Sequence, residues 1–209
     1  MALLDEIKDR TIRGKRKEIG PLIQQGLDEG MNPQELLDAM IAGMDVIGDR
    51  FSKGECFVPE MLVAARTMAA GTDILKPALA AAGSEPIGKA VIGTVKGDMH
   101  DIGKNLVRMM IESKGVEIDD LGVDVPDETF VQYIQEHPEC QVLCLSALLT
   151  TTMPALADVI NAVTEAGLRD QVKIMVGGAP VTQAFADEIG ADAYTSNAAE
   201  AADKIVEFF

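Results

Sequence analysis

The sequence predicts two successive units: an all-α bundle of four helices over residues 1–82, then an α/β unit with a five-stranded parallel sheet over 90–209. Residues 83–89 read as the linker between them. Two observations carry this. In the first part the apolar residues recur at helical spacing, as in Leu37, Met40, Ile41, Met44, Ile47 and Phe51, and again in Met61, Leu62, Ala65, Met68, Ala69, Thr72 and Leu75. In the second part short β-rich apolar runs alternate with amphipathic stretches, the pattern of βα units whose sheet is covered on both faces.

The elements follow in order. Helices are expected near 3–13, 16–29, 33–51 and 59–82, with breaks at Gly14, Gly20-Pro21, Gly30 to Pro33 and Lys53 to Glu55. Pro33 behind Asn32 has the character of a first-turn proline after an N-cap, and Pro59 is placed to serve the next helix in the same way. Strands are expected at Ala90–Val95, Val116–Asp120, Val142–Ser146, Lys173–Val176 and Ala193–Tyr194. The helices between and after them lie near 102–114, 127–136, 153–166, 182–189 and 198–207, and Gly115 ends the first of these.

Charge and composition narrow the function. The chain has 209 residues, with 18 Lys+Arg against 34 Asp+Glu and a formal charge of -16. That acidity disfavours nucleic acid and anionic lipid as partners. The first residues are charged and lack a signal-peptide core, and no apolar run approaches a membrane span, so a cytoplasmic protein is expected. Cys56, Cys140 and Cys144 form no CxxC pair, which fits reduced thiols. A zinc site from Cys140 and Cys144 competes with ordinary buried cysteine beside a strand.

The chain contains two histidines. One of them, His100, follows Asp98 in the loop between the first strand and its helix, within Gly97-Asp98-Met99-His100-Asp101-Ile102-Gly103. An imidazole there can reach a metal while Asp98 holds the other ring nitrogen and sets its tautomer and basicity. In a doubly wound sheet, ligands sit outside the carboxyl ends of the strands. The Asp98–His100 loop, the Ser146–Thr152 loop and the Val176–Pro180 loop all fall at that edge. On spacing alone, a loop histidine bonded to Asp98 without any metal, or a divalent site of Asp98, His100 and Asp101, stays open. His137, before Pro138, reads as a solvated helix end.

Asp98-x-His100-x-x-Gly103 is followed after residues 104–145 by Ser146-x-Leu148, and after residues 149–176 by Gly177-Gly178. With these three elements, the chain resembles the cobalamin-binding modules of methionine synthase and of the corrinoid proteins of methyltransferase systems. Gly43 to Phe51 and Phe57-Val58-Pro59-Glu60-Met61 are similar to the helical cap of the same family. The resemblance implies a Rossmann-like, flavodoxin-like sheet preceded by a four-helix cap. It implies His100 as lower axial ligand to cobalt, Asp98 as acceptor from the other ring nitrogen, and Ser146 as the next member of that relay.

The same resemblance implies that Gly103, Ser146, Leu148, Gly177 and Gly178 line a slot for the displaced nucleotide tail. Met99, Asp101 and Ile102 border the cofactor. Thr150, with Thr151 and Thr152, offers hydroxyls to its phosphate or ribose, and Phe51, Val58 and Met61 form an apolar lid over the reactive face. The implied function is a free-standing, non-autonomous methyl carrier, holding cobalamin in its methylcobalamin form. It accepts a methyl group on cobalt(I) from a substrate:corrinoid methyltransferase and delivers it to a methylcorrinoid:acceptor methyltransferase using tetrahydrofolate or a thiol. A reductive activase is the third partner. The alternatives are the small subunit of an adenosylcobalamin mutase and a cobalamin sensor.

Overall fold

The structure is a computed structural model that describes residues 2–83 and 85–209; Met1 and Ser84, the latter in the expected linker, lie outside the described residues. The described residues divide into two units, one reaching to Pro86 together with Ser113–Gly115, the other Ile87–Glu112 with Val116–Phe209.

The first unit holds α1 (Leu3–Ile12), α2 (Arg16–Asp28), α3 (Pro33–Ser52) and α4 (Val58–Ala81). Asn32 caps α3 by accepting from the Gln34 amide, with Pro33 in the first position. At the start of α4 the Phe57 amide donates to Glu60 Oε2 at 2.7 Å, which satisfies a donor that the helix itself leaves open. The inward stripe includes Ile19, Ile23, Leu36, Met40, Met44, Met61 and Leu75, all fully buried. Gly20-Pro21 is not a break: α2 runs through it. Proline removes only the bond to the Lys17 carbonyl, Lys17 is exposed, and burial of Ile19 and Ile23 on either side outweighs the loss.

The second unit carries β1 (Lys89–Thr94), α5 (Ile102–Glu112), β2 (Glu117–Asp120), α6 (Asp127–Glu136), β3 (Cys140–Ser146), α7 (Met153–Glu165), β4 (Lys173–Gly177), α8 (Gln183–Ile189), β5 (Ala193–Tyr194) and α9 (Ala198–Val206). The strands are parallel in the order β2-β1-β3-β4-β5. This is the doubly wound arrangement in which strand order reverses between β1 and β3.

One face of the sheet buries Val91, Leu143, Leu145, Ile174 and Val176 against Phe130, Ile134, Leu156, Val159 and Val163 of α6 and α7. The alternate residues Ala90, Ile92, Val142, Cys144 and Met175 are also buried, as a sheet covered on both faces requires. A side chain at residue 93 would come within 2.7 Å of the Phe130 ring, so glycine there lets the ring pack against β1. Among the described residues no helix is long and apolar enough to cross a membrane.

Candidate functional site

The register brings the three predicted loops to one level. Thr94 pairs with Ser146, and Ser146 with Gly177, so β1, β3 and β4 end side by side. Beyond those ends the chain is stitched further: the Val95 amide donates to the Ser146 carbonyl and the Ala147 amide to the Gly177 carbonyl. The loop from Val95 to Asp101 therefore starts at the crevice where the strand order reverses.

Asp98 is its fixed point. The carboxylate is fully buried and receives bonds on both oxygens. Oδ1 accepts from His100 Nδ1 at 2.7 Å and from the His100 amide at 3.1 Å. Oδ2 accepts from the Leu148 amide and from Thr152 Oγ1, each at 2.7 Å. Burial alone would push the carboxyl up, but the Leu148 amide, the Thr152 hydroxyl and the His100 ring and amide outweigh it. They hold Asp98 well below the usual carboxylate range. An ionised carboxylate only accepts, so Nδ1 carries the proton and the lone pair of Nε2 is left free. The ring is half exposed. Thr94 Oγ1 donates to the His100 carbonyl at 2.8 Å, so both the backbone and the ring of His100 are anchored.

The surroundings of that nitrogen are apolar and open. Met99, Ile102, Leu148 and Leu149 are exposed at 69, 77, 40 and 42 %, an unusual concentration of solvent-facing aliphatic surface on one rim. Asp101, Thr150 and Thr151 are exposed. A side chain at Gly103 would meet nothing within 4 Å, and one at Gly177 only the Thr195 carbonyl at 3.8 Å. Neither glycine has the positive φ that demands one. The protein's own packing therefore does not explain them. Gly178 differs: its φ is +133° and an added Cβ would lie 1.8 Å from the Ala147 carbonyl oxygen. A contact inside the chain is therefore enough by itself to require glycine there.

Two further expectations change. The hydroxyl that Asp98 binds belongs to Thr152, not Ser146; Ser146 Oγ has no hydrogen-bond partner among the described residues. Ser146 is the last residue of its strand, and the carboxylate is reached only after the chain turns back, with the Thr152 amide donating to the Leu149 carbonyl. Thr152 is accordingly buried and its hydroxyl is spent on Asp98 rather than offered to a ligand. Removing it as Thr152→Val should cost about 2 kcal/mol at neutral pH, the worth of a hydrogen bond to a charged group. Because the folded pKa of Asp98 is depressed, this contribution is complete above the unfolded value near ~3.9 and fades as pH falls below it. Urea unfolding of both proteins in neutral and acid buffer measures this, and a pH-independent difference would contradict it.

Of the remaining candidates, Phe51, Val58 and Met61 belong to the helical unit. Met61 is fully buried, while Val58 and its neighbour Phe57 are exposed at 36 and 69 %. His137 stacks on Tyr133 and lies 3.1 Å from Glu139. Cys140 and Cys144 are free and buried, and burial pushes both thiols up, Cys140 to about 11, the opposite of a metal-ligating or reactive cysteine. Among the described residues no three His, Cys, Asp or Glu side chains group as a metal site, so the divalent cluster of Asp98, His100 and Asp101 does not form.

A parallel sheet that presents a carboxylate-held imidazole at its switch point, beside an open apolar rim, defines a cofactor-binding module. The family model described as a B12 binding domain matches residues 88–206, and a second B12 binding domain model matches residues 3–76. The chain belongs to this B12-binding family. It is 43% identical to the dimethylamine corrinoid protein of Methanosarcina barkeri over 208 residues, 98% of this chain and 96% of that one. It is equally 43% identical to trimethylamine corrinoid protein 1 of Methanosarcina acetivorans over 206 residues, 97% and 95% of the two chains. Among solved structures, the methanol:cobalamin methyltransferase complex MtaBC of Methanosarcina barkeri contains a chain with TM-score 0.85 and 30% identity, covering 99% of this chain and 80% of that one.

Proposed function

We propose that this chain is the corrinoid-carrying subunit of a methyltransferase system, in which His100 Nε2 would be the protein's ligand to the cobalt. The observation that carries the proposal is the pair formed by buried, ionised Asp98 and the Nδ1–H of His100. When bound, the corrinoid supplies the metal centre that takes up and gives away a methyl group. The chain's own residues do the rest. Asp98 fixes the ring's tautomer and orientation, so that Nε2 keeps its lone pair for the metal. Met99, Ile102, Leu148 and Leu149 give the corrin an apolar seat, Gly103 and Gly177 leave space for its nucleotide arm, and Ser146 and Thr150 offer hydroxyls along it. Of the side chains expected in an apolar lid, Met61 is spent on the core of the helical unit, while Val58 and its neighbour Phe57 are exposed.

Similarity to methylamine corrinoid proteins supports a methylated amine as the donor of the methyl group. A donor methyltransferase, an acceptor methyltransferase using folate or a thiol, and a reductive activase complete the system. The test is electron paramagnetic resonance of the reduced, cobalt(II) form, using nitrogen-15 protein and unlabelled hydroxocobalamin. Coordination by His100 turns the axial superhyperfine triplet into a doublet, because the nuclear spin of the ligand nitrogen changes. A triplet that persists means that benzimidazole is still the ligand and ends the proposal. In His100→Ala the doublet should vanish while corrinoid is retained through the arm's groove.

A further inference from the structure

We propose that Asp124, in the loop between β2 and α6, is a positioning residue for His100. This rests on the reading of His100 as the ligand. Among the described residues, Asp124 is the one non-glycine with positive φ, at 52°. Such a conformation persists only where surrounding contacts hold it, and Asp is among the few residues that tolerate it. The contacts here lead to one place. Asp124 Oδ1 accepts from the Gly97 amide at 2.7 Å, and the Asp124 amide donates to the Asp98 carbonyl at 2.9 Å. Side chain and backbone of one residue thus grip the two residues that precede Met99 and His100.

The same loop is tied down on its other side. The Thr94 amide donates to the Gly122 carbonyl, and the Val125 amide to the Thr94 carbonyl. Asp120 Oδ1 accepts from the Gly122 amide, and its Oδ2 pairs with buried Lys104 of α5. The loop is therefore a rigid support rather than a loose connection. Asp98 is held from two directions: its carboxylate by Leu148 and Thr152, its main chain by Asp124. Only with both in place does the carboxylate meet the imidazole at a single angle. Loss of the Asp124 side chain frees Gly97, whose φ of 83° is itself a turn conformation, and lets the Asp98–His100 segment shift.

The experiment uses the full chain without corrinoid. Nitrogen-15 spectra of the imidazoles, recorded well above the ordinary histidine pKa, report the ring tautomer; the chain has two histidines, and His137→Gln assigns them. Wild type is expected to show His100 with the proton on Nδ1 alone. Asp124→Gly accommodates the backbone but removes the acceptor, and should give a mixture of both tautomers. Asp124→Asn keeps an oxygen acceptor and the left-handed backbone, and should restore the wild-type signal. Retention of hydroxocobalamin should fall about tenfold in Asp124→Gly, the usual consequence of losing a group behind a metal ligand.

A wild-type imidazole spectrum in Asp124→Gly overturns the inference, as does an Asp124→Asn protein as impaired as the glycine variant. If Asp124→Gly fails to fold, Asp124→Asn decides alone: a wild-type spectrum supports the clamp, an altered one overturns it. Failure of the ligand reading instead appears as a persistent triplet in the wild-type cobalt(II) spectrum, with the imidazole result unaffected.

Discussion

Gly178→Ala should cost the α/β unit at least about 4 kcal/mol, at the upper end of what single substitutions do. Two costs add. At φ +133° an L side chain is confined to a region that glycine nearly monopolises, a cost of about 1–3 kcal/mol. The new Cβ would also lie 1.8 Å from the Ala147 oxygen and 2.8 Å from its carbonyl carbon. Neither atom is the yielding end of a side chain. Ala147 is fully buried, and its amide is bonded to the Gly177 carbonyl, so relief means parting the ends of β3 and β4. Against a typical total of 5–15 kcal/mol, the loss is severe. Urea unfolding of the apo-protein measures it; a difference under about 1 kcal/mol would show that the two loops separate easily.

Gly103→Leu should do the reverse. Gly103 is the second residue of α5, and a side chain there meets nothing within 4 Å. Leucine is a far better helix former than glycine, so apo stability should hold or rise by up to about 1 kcal/mol. The same side chain would fill space assigned to the corrinoid, and retention of hydroxocobalamin should fall by about a hundredfold or more. Equilibrium dialysis beside the unfolding curve gives both numbers. A stable variant that binds corrinoid like wild type would remove Gly103 from the groove. The two glycines thus separate a residue required by the fold from one that the fold leaves unexplained.

The secondary structure was legible to a high degree for reasons that are local. Helices over 3–12, 16–28, 33–52 and 58–81 and the five strands announce themselves through apolar period and through caps such as Asn32-Pro33. The exception, Gly20-Pro21, follows from a breaker losing to burial on both sides. The candidate site was legible where spacing carries it. Asp98 and His100 are two residues apart, and their side chains meet within one turn of a loop.

What escaped depends on where loops far apart in sequence come to rest. Ser146 ends β3 and Thr152 lies in the loop that follows it, and both carry hydroxyls. Thr150, Thr151 and Thr152 are identical in type, yet the turn after Leu149 buries only the last and aims it at Asp98. Likewise nothing in Gly122-Val123-Asp124-Val125 announces a residue with positive φ that reaches back across 27 positions to Gly97.

By itself the sequence determined the order of the elements and the carboxylate–imidazole pair, because hydrophobic period, capping and short-range spacing act within a few residues. Only the tertiary structure decided which hydroxyl supports Asp98, why Gly178 cannot carry a side chain, and that Asp124 grips the histidine loop. Those outcomes depend on the register of β1, β3 and β4, which brings distant loops within hydrogen-bond reach of one another.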